Sequence, residues 1–124
     1  MVCLDTSFIV DFLDGDPKIV RLMKGYLEGG IITTTVISEY ELLKHVDKLK
    51  RETASSVISS LMILNFDSAA AKEAAEIFAA LKKAGLMINE LDVLIAGIAK
   101  ANREVLITRD SGFDRIKSGN IKIV

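Results

Sequence analysis

Four acidic residues occupy positions that alternating strands and helices would gather into one pocket. Asp5 closes the apolar run Val2-Cys3-Leu4, and Asp110 follows a second one, Val105-Leu106-Ile107-Thr108-Arg109. Glu41 lies in Thr35-Val36-Ile37-Ser38-Glu39-Tyr40-Glu41-Leu42-Leu43 and Asp92 in Glu90-Leu91-Asp92-Val93-Leu94-Ile95-Ala96, both of which read as helices. In a parallel sheet, strand C-termini and the first turns of the helices that follow share one edge, and that edge carries binding sites. Carboxylates crowded there repel one another unless a cation joins them. An all-oxygen donor set suits Mg²⁺ or Mn²⁺, so the expected chemistry is metal-assisted and directed at phosphate.

Each acid also has a plain structural explanation. Asp5 precedes Thr6-Ser7 and suits the N-cap of a helix. Asp110-Ser111-Gly112 suits a turn, and Thr108 suits a strand as a β-branched residue or, through its hydroxyl, as a donor to a ligand carboxylate. Asp92 shares a helix face with Ile88, Ile95, Ala96 and Ala99, which should be buried, and no Lys or Arg lies one turn away on this segment. A charge there needs a partner; the structural alternative is a first-turn carboxylate favoured by the helix dipole. Glu41 competes with Glu39. Lys44 lies one turn after Glu41, so a surface ion pair is open to it, and a solvated helix carboxylate is the alternative for either.

Other chemistries lack their residues. His45 is the sole histidine and has no cysteine or second histidine nearby to suggest zinc. No serine stands in a recognisable nucleophile motif, and neither a GxxxxGK[ST] loop nor a GxGxxG after a strand is present.

The elements that must position the acids can be read from periodicity and punctuation. Residues 2–5 read as a strand and about 6–13 as a short helix. Asp14-Gly15-Asp16-Pro17 is a turn whose proline opens a helix to about Glu28, stopped by Gly29-Gly30. Ile31-Ile32 begins an extended segment, a helix is expected from about Thr35 to Val46, residues 50–60 look helical, and 62–66 read as a strand. Asp67 or Ser68 caps the next helix, in which Ala70, Ala74, Ile77, Phe78 and Leu81 form an apolar stripe, Lys82 and Lys83 fill the last turn and Gly85 ends it. Residues 90–101 make a further helix, 105–108 a strand, and 121–124 a last strand. Strands separated by helices indicate an α/β three-layer fold with a mainly parallel sheet.

A chain of 124 residues, half of them hydrophobic and with one proline, suits a single domain spanning 1–124. Cys3 is the only cysteine, so no internal disulfide can form, and a strand-embedded thiol fits a reducing cytoplasm. The N-terminus enters a strand without a basic-then-apolar leader, and no apolar run approaches the length that crosses a bilayer. The formal net charge of −1 argues against coating nucleic acid through a broad basic surface. A nuclease remains compatible with it, because a metal and a few local cations can hold the backbone. Lys44, Lys48, Lys50 and Arg51 follow Glu41 either as a solvated helix face and loop or as a nucleic-acid rim.

At the level of motifs, Leu4-Asp5-Thr6-Ser7 resembles the opening of PIN-domain proteins, especially VapC-type ribonuclease toxins. The run from Thr35 to Leu43 resembles the second motif of that family and places its acid on Glu41 rather than Glu39. Ile88-Asn89-Glu90-Leu91-Asp92 resembles the third, with Asp92 as its acid. Leu106-Ile107-Thr108-Arg109-Asp110-Ser111-Gly112-Phe113 resembles the fourth. The match covers essentially the whole chain. Ser7 stands where many relatives carry asparagine, His45 where glycine is common, and Gly112 where an acid is frequent before the phenylalanine.

The resemblance implies a PIN-like α/β/α sandwich with a central parallel sheet and a metal-dependent endoribonuclease site acting on single-stranded or structured RNA. Asp5, Asp92 and Asp110, with Glu41, would bind one or two Mg²⁺ or Mn²⁺ ions, directly or through water, and activate a water for in-line attack at phosphorus. Glu41 is open to a second role, orienting or deprotonating the water. Ser7 and Thr108 would support the carboxylates, and Arg109 is either a phosphate contact or a surface residue. A cognate antitoxin and a homodimer are implied by the resemblance alone. Two other readings remain: a non-catalytic PIN-like binding or assembly module, and an aspartyl-nucleophile phosphatase. The phosphatase usually wants a second acid two residues after the first, where Ser7 stands. A receiver-like phospho-switch fits less well, because Thr108 and Arg109 stand where it wants a lysine.

Overall fold

Alternation along short strands decides the layering. Successive strand residues face opposite sides of a sheet, and here both sides are apolar: Cys3 and Leu106 enter one core, Leu4 and Ile107 the other. A sheet apolar on both faces must be covered on both.

The computed structural model describes residues 1–44 and 47–124. Its strands are β1 (Val2–Leu4), β2 (Ile32–Thr35), β3 (Met62–Leu64), β4 (Val105–Thr108) and β5 (Asn120–Ile123). Its helices are α1 (Thr6–Leu13), α2 (Pro17–Glu28), α3 (Val36–Leu43), α4 (Lys48–Ile58), α5 (Ser68–Ala84) and α6 (Glu90–Ala101). The sheet order is β3-β2-β1-β4-β5 and every pairing is parallel. One core packs α1, α2, α3 and α4 through Phe8, Ile19, Leu42 and Ile58; the other packs α5 and α6 through Ile77, Leu81, Ile95 and Ala99, with Phe113. The expected three-layer α/β/α sandwich is the observed one.

The chain runs from β1 to β2 and β3 on one side, then crosses to β4 and β5 on the other. The order therefore reverses between β1 and β4, where the helices following the two strands diverge and leave a crevice. Asp5 and Asp110 follow these two strands. The height of α6 over the crevice is set by close packing on α5: a Cβ on Gly97 would lie 2.7 Å from the Ala74 Cβ and 2.9 Å from the Ala70 carbonyl oxygen.

Several boundaries differ from the sequence expectations. Thr35 ends β2 and caps α3 by accepting from the Ser38 N–H at 3.0 Å, instead of opening the helix. Three consecutive threonines extend β2 because their hydroxyls find buried acceptors and partners: Thr33 donates to the Val2 carbonyl at 3.0 Å and Thr34 to the Leu4 carbonyl at 2.7 Å. β3 stops at Leu64 rather than at 66, α4 covers Lys48–Ile58 rather than 50–60, and β5 begins at Asn120. Ser111–Arg115 form a 3-10 turn where only a simple turn was expected. Phe78 is 38 % exposed, so the buried stripe of α5 is Ala70, Ala74, Ile77 and Leu81. The expected continuation of the third helix to Val46, and His45 with it, lie outside the described residues.

Candidate metal and phosphate site

Asp5 is buried and held by three donors. Its Oδ1 accepts from the Ser7 hydroxyl at 2.8 Å and from the Phe8 N–H at 3.1 Å, which caps α1, and its Oδ2 accepts from the Thr108 hydroxyl at 2.6 Å. Each hydroxyl accepts in turn from a main-chain donor: the Arg109 N–H reaches Ser7 Oγ and the Asp110 N–H reaches Thr108 Oγ1, both at 3.0 Å. The end of β4 is thus stitched to the carboxylate that ends β1, with each hydroxyl proton aimed at Asp5. Burial pushes the Asp5 pKa up, the three hydrogen bonds oppose that rise, and the neighbouring Asp110 charge adds to it. A carboxylate has about four lone-pair sites, so Asp5 keeps capacity for a further ligand.

Asp110 is exposed and caps the 3-10 turn, its Oδ1 accepting from the Gly112 N–H at 2.8 Å. Glu41 is reached from α1: the Thr6 hydroxyl lies 2.6 Å from its Oε1 and 3.0 Å from the buried Ser38 hydroxyl. The ion pair open to Lys44 is not formed among the described residues; the Lys44 ammonium lies instead 5.7 Å from the centre of the Tyr40 ring. Asp92 sits in the first turn of α6, after the N-cap Asn89, and is half-buried. Among the described residues no hydrogen-bond donor or ion-pair partner reaches its carboxylate. Desolvation first, then the Asp110, Glu41 and Asp5 charges, push its pKa up to about 6. Four carboxylates on four different segments therefore feel one another at the crevice, and Glu41, not Glu39, is the α3 acid that does so.

Cap and pocket are compatible roles. Asp5 and Asp110 are both the caps that local rules expect and the acids of the crevice: each cap engages Oδ1, leaving Oδ2 of Asp5 to accept from Thr108 and Oδ2 of Asp110 without a donor among the described residues. Thr6, Ser38, Asp11 and Asp16 were not singled out by sequence. Thr6 and Ser38 lie within the first and second acid-bearing segments, but the Thr6 hydroxyl meets Glu41 and the Ser38 hydroxyl only when α1 packs on α3.

Arg109 does not present a free cation to the crevice. Its Nε donates to Asp11 Oδ2 at 2.8 Å, its Nη1 to the Val124 main-chain oxygen at 3.1 Å and its Nη2 to Asp16 Oδ2 at 3.4 Å. Lys44, Lys48, Lys50 and Arg51 are exposed, and Lys48 pairs loosely with Glu52 at 3.9 Å. A cleft of about 370 Å³ lies between α1, α3 and α4, lined by Val10, Leu13, Leu42, Leu49 and Ala54; it includes none of the four acids.

Among the described residues no group of three Asp, Glu, His or Cys side chains is arranged to cage a metal ion. Mg²⁺ seldom requires a cage: it dehydrates reluctantly and is commonly held by one or two carboxylates with several waters. The like charges around Asp92, with oxygen donors only, suit a hydrated hard cation in this sense. No described helix is long and apolar enough to cross a membrane.

The family model "PIN domain" matches residues 2–119. A chain of the VapBC2 complex from Rickettsia felis, solved bound to a DNA fragment from their promoter, superposes with a TM-score of 0.86 at 22 % identity, covering 100 % of this chain and 99 % of that one. VapBC-1 from nontypeable Haemophilus influenzae gives 0.85 at 23 % identity, covering 99 % and 98 %. DNA-bound VapBC from Salmonella typhimurium gives 0.79 at 25 % identity, also covering 99 % and 98 %. A search of curated proteins gives no match. With nearly its whole length matched by the family model, the chain belongs to the PIN domain family.

Proposed function

We propose that this protein is a Mg²⁺- or Mn²⁺-dependent endoribonuclease, the VapC-type toxin of a toxin–antitoxin pair. The observation that carries the reading is the placement of Asp92, a half-buried carboxylate in the first turn of α6 that no donor or cation reaches among the described residues; burial and the charges of Asp110, Glu41 and Asp5 push it up to about 6. Such an arrangement costs free energy and is relieved by a divalent ion. Asp5, Asp92 and Asp110, with Glu41, would hold it. The ion would supply a lowered pKa for water and positive charge beside the scissile phosphate. Asp5, fixed by Ser7, Thr108 and the Phe8 N–H, is the rigid ligand. Glu41, aimed by Thr6, has its second oxygen available to orient the attacking water or take its proton. In-line attack expelling the 3′-oxygen would leave 5′-phosphate and 3′-hydroxyl ends.

The VapBC descriptions of the neighbours support an antitoxin as partner, and an acidic crevice suits a basic side chain from it. Homodimerisation and a cytoplasmic location belong to the same reading. The alternative of a non-catalytic binding module draws on the lack of a pre-arranged metal cage among the described residues. An aspartyl-nucleophile phosphatase fits poorly, since Asp5 is 2 % exposed with donors on both oxygens.

Cleavage of a panel of single-stranded and structured RNAs, in Mg²⁺ or Mn²⁺ against EDTA and beside Asp92→Asn, tests the proposal. Metal-dependent cutting lost in the variant supports it. Two folded proteins that neither cut nor bind metal would leave the binding module.

A further inference from the structure

Arg109 stands between Thr108 and Asp110, yet its side chain leaves the crevice. Alternation at the end of β4 directs it to the face opposite Thr108. There its planar fork meets three separate parts of the chain: Asp11 on α1, Asp16 at the start of α2, and the main-chain oxygen of Val124 beyond β5. Asp16 uses its other oxygen to cap α2, accepting from Lys18 N–H at 3.0 Å and Ile19 N–H at 3.3 Å. Val124 also donates its N–H to the Thr108 carbonyl at 2.9 Å. The main chain at 108–110 is therefore held from both sides: by Ser7 and Thr108 hydroxyls toward Asp5, and by the guanidinium fork toward α1, α2 and Val124.

We infer that Arg109 is a positioning residue, a brace that fixes the end of β4 so that Thr108 and Asp110 face the crevice, and not a cation that meets substrate. The inference rests on the nuclease reading for its kinetic consequence but not for its geometry. Two carboxylates already neutralise the guanidinium, and a phosphate would have to displace Asp11 from a 2.8 Å contact. Lysine, with a point charge on a flexible stem, can keep one of these contacts but not all three. Asp11 becomes the informative partner, because it has the opposite charge and lies on a different element.

The test compares Arg109→Ala, Arg109→Lys and Asp11→Asn with the wild type by amide hydrogen exchange, Mn²⁺ binding and RNA-cleavage kinetics. A brace predicts faster exchange at the amides of residues 109 and 110 in both Arg109→Ala and Asp11→Asn, with unchanged rates for core amides of α5 and α6. It also predicts that Mn²⁺ affinity and kcat fall together by about 10–100-fold, the usual scale for residues that orient metal ligands, while KM holds and lysine rescues partly. A substrate-binding arginine predicts opposite signs, KM rising in Arg109→Ala and falling in Asp11→Asn, and that result overturns the inference. Uniform loss of protection with Mn²⁺ affinity intact also overturns it, reducing the contact to ordinary stability. If the wild type neither cuts RNA nor binds Mn²⁺, the nuclease reading fails, while the exchange contrast still decides whether the brace exists.

Discussion

The two halves of the crevice treat buried charge in opposite ways. On the strand side, Asp5 is almost fully buried, yet three donors hold its carboxylate and tie the ends of β1 and β4 together. On the helix side, Asp92 is more exposed but has no donor among the described residues; desolvation first, then three like charges, push it up to about 6. Burial alone therefore does not rank the two acids. Hydrogen bonds to the charged form favour it, and like charges disfavour it. Asp5 belongs to the folded framework as much as to the site, whereas Asp92 carries a cost that protonation, or on the proposed reading a bound cation, relieves.

The greatest contrast should follow Asp92→Asn. RNA cleavage is expected to fall by roughly 10²-fold or more, the scale of losing a group that acts at the reacting phosphate. The metal-free protein should nevertheless melt no lower than wild type, since a repelled charge is gone. A melting temperature that drops sharply would break the comparison, because Asp92 would then be a framework acid too.

Asp5→Ala should behave in the other sense. It removes a helix cap and leaves the Thr108 and Ser7 hydroxyls without their acceptor, so a loss of about 1–3 kcal/mol is expected in urea unfolding, along with activity. Equal stability of Asp5→Ala and wild type would place Asp5 with Asp92 instead.

pH sharpens the same distinction. The folded-state pKa of Asp92 lies above its ordinary 3.8, at about 6, so the folded protein binds that proton more tightly than the unfolded chain. Its favourable contribution is complete below the unfolded value and disappears as pH rises through the folded one. In EDTA, wild type should lose stability relative to Asp92→Asn between about pH 4 and pH 6 and no further above that. Mn²⁺ should remove the difference. Parallel pH profiles for the two proteins would contradict it.

The smallest effects concern the hydroxyls. Thr108→Val deprives Asp5 of its shortest hydrogen bond and the Asp110 N–H of its acceptor, which should cost about 1–2 kcal/mol and weaken Mn²⁺ binding. Ser7→Ala removes the parallel link to Arg109 N–H and should cost about 1 kcal/mol or less. If Ser7→Ala proves the more damaging, the Thr108 arm is not the main tie between β1 and β4.

Much of this arrangement was legible from residue order. Strong helix signals, such as Asp67 before α5 and Gly85 after it, are local: a side chain caps the first N–H groups, and a left-handed glycine closes the last turn. Asp5, Asp110 and Asp92 were expected together because strand ends and helix starts lie on one edge of a parallel sheet by construction; Glu41 lies beyond the first turn of α3, where Glu39 stands, and was named by motif resemblance. The boundaries of β2 and α3 were not, because Thr33, Thr34 and Thr35 owe their strand to acceptors on β1 and to a cap on Ser38. Phe78 has the right spacing for the core stripe but sits at its margin, and spacing does not say how wide a face the neighbouring helix covers.

Residue types and their order by themselves determined an α/β chain with carboxylates at two strand ends and two helices, since periodicity and caps act within a few residues. The choice of Glu41 over Glu39 was already carried by the motif resemblance. Tertiary structure alone decided how donors divide between the oxygens of Asp5, Glu41 and Asp110, and that Arg109 turns from the crevice to Asp11 and Asp16. Those outcomes depend on contacts such as Thr6 with Glu41, 35 positions apart, and Thr108 with Asp5, 103 apart. A hydrogen bond depends on a few tenths of an ångström and an angle, and for residues so distant in the chain only the packed layers supply that geometry.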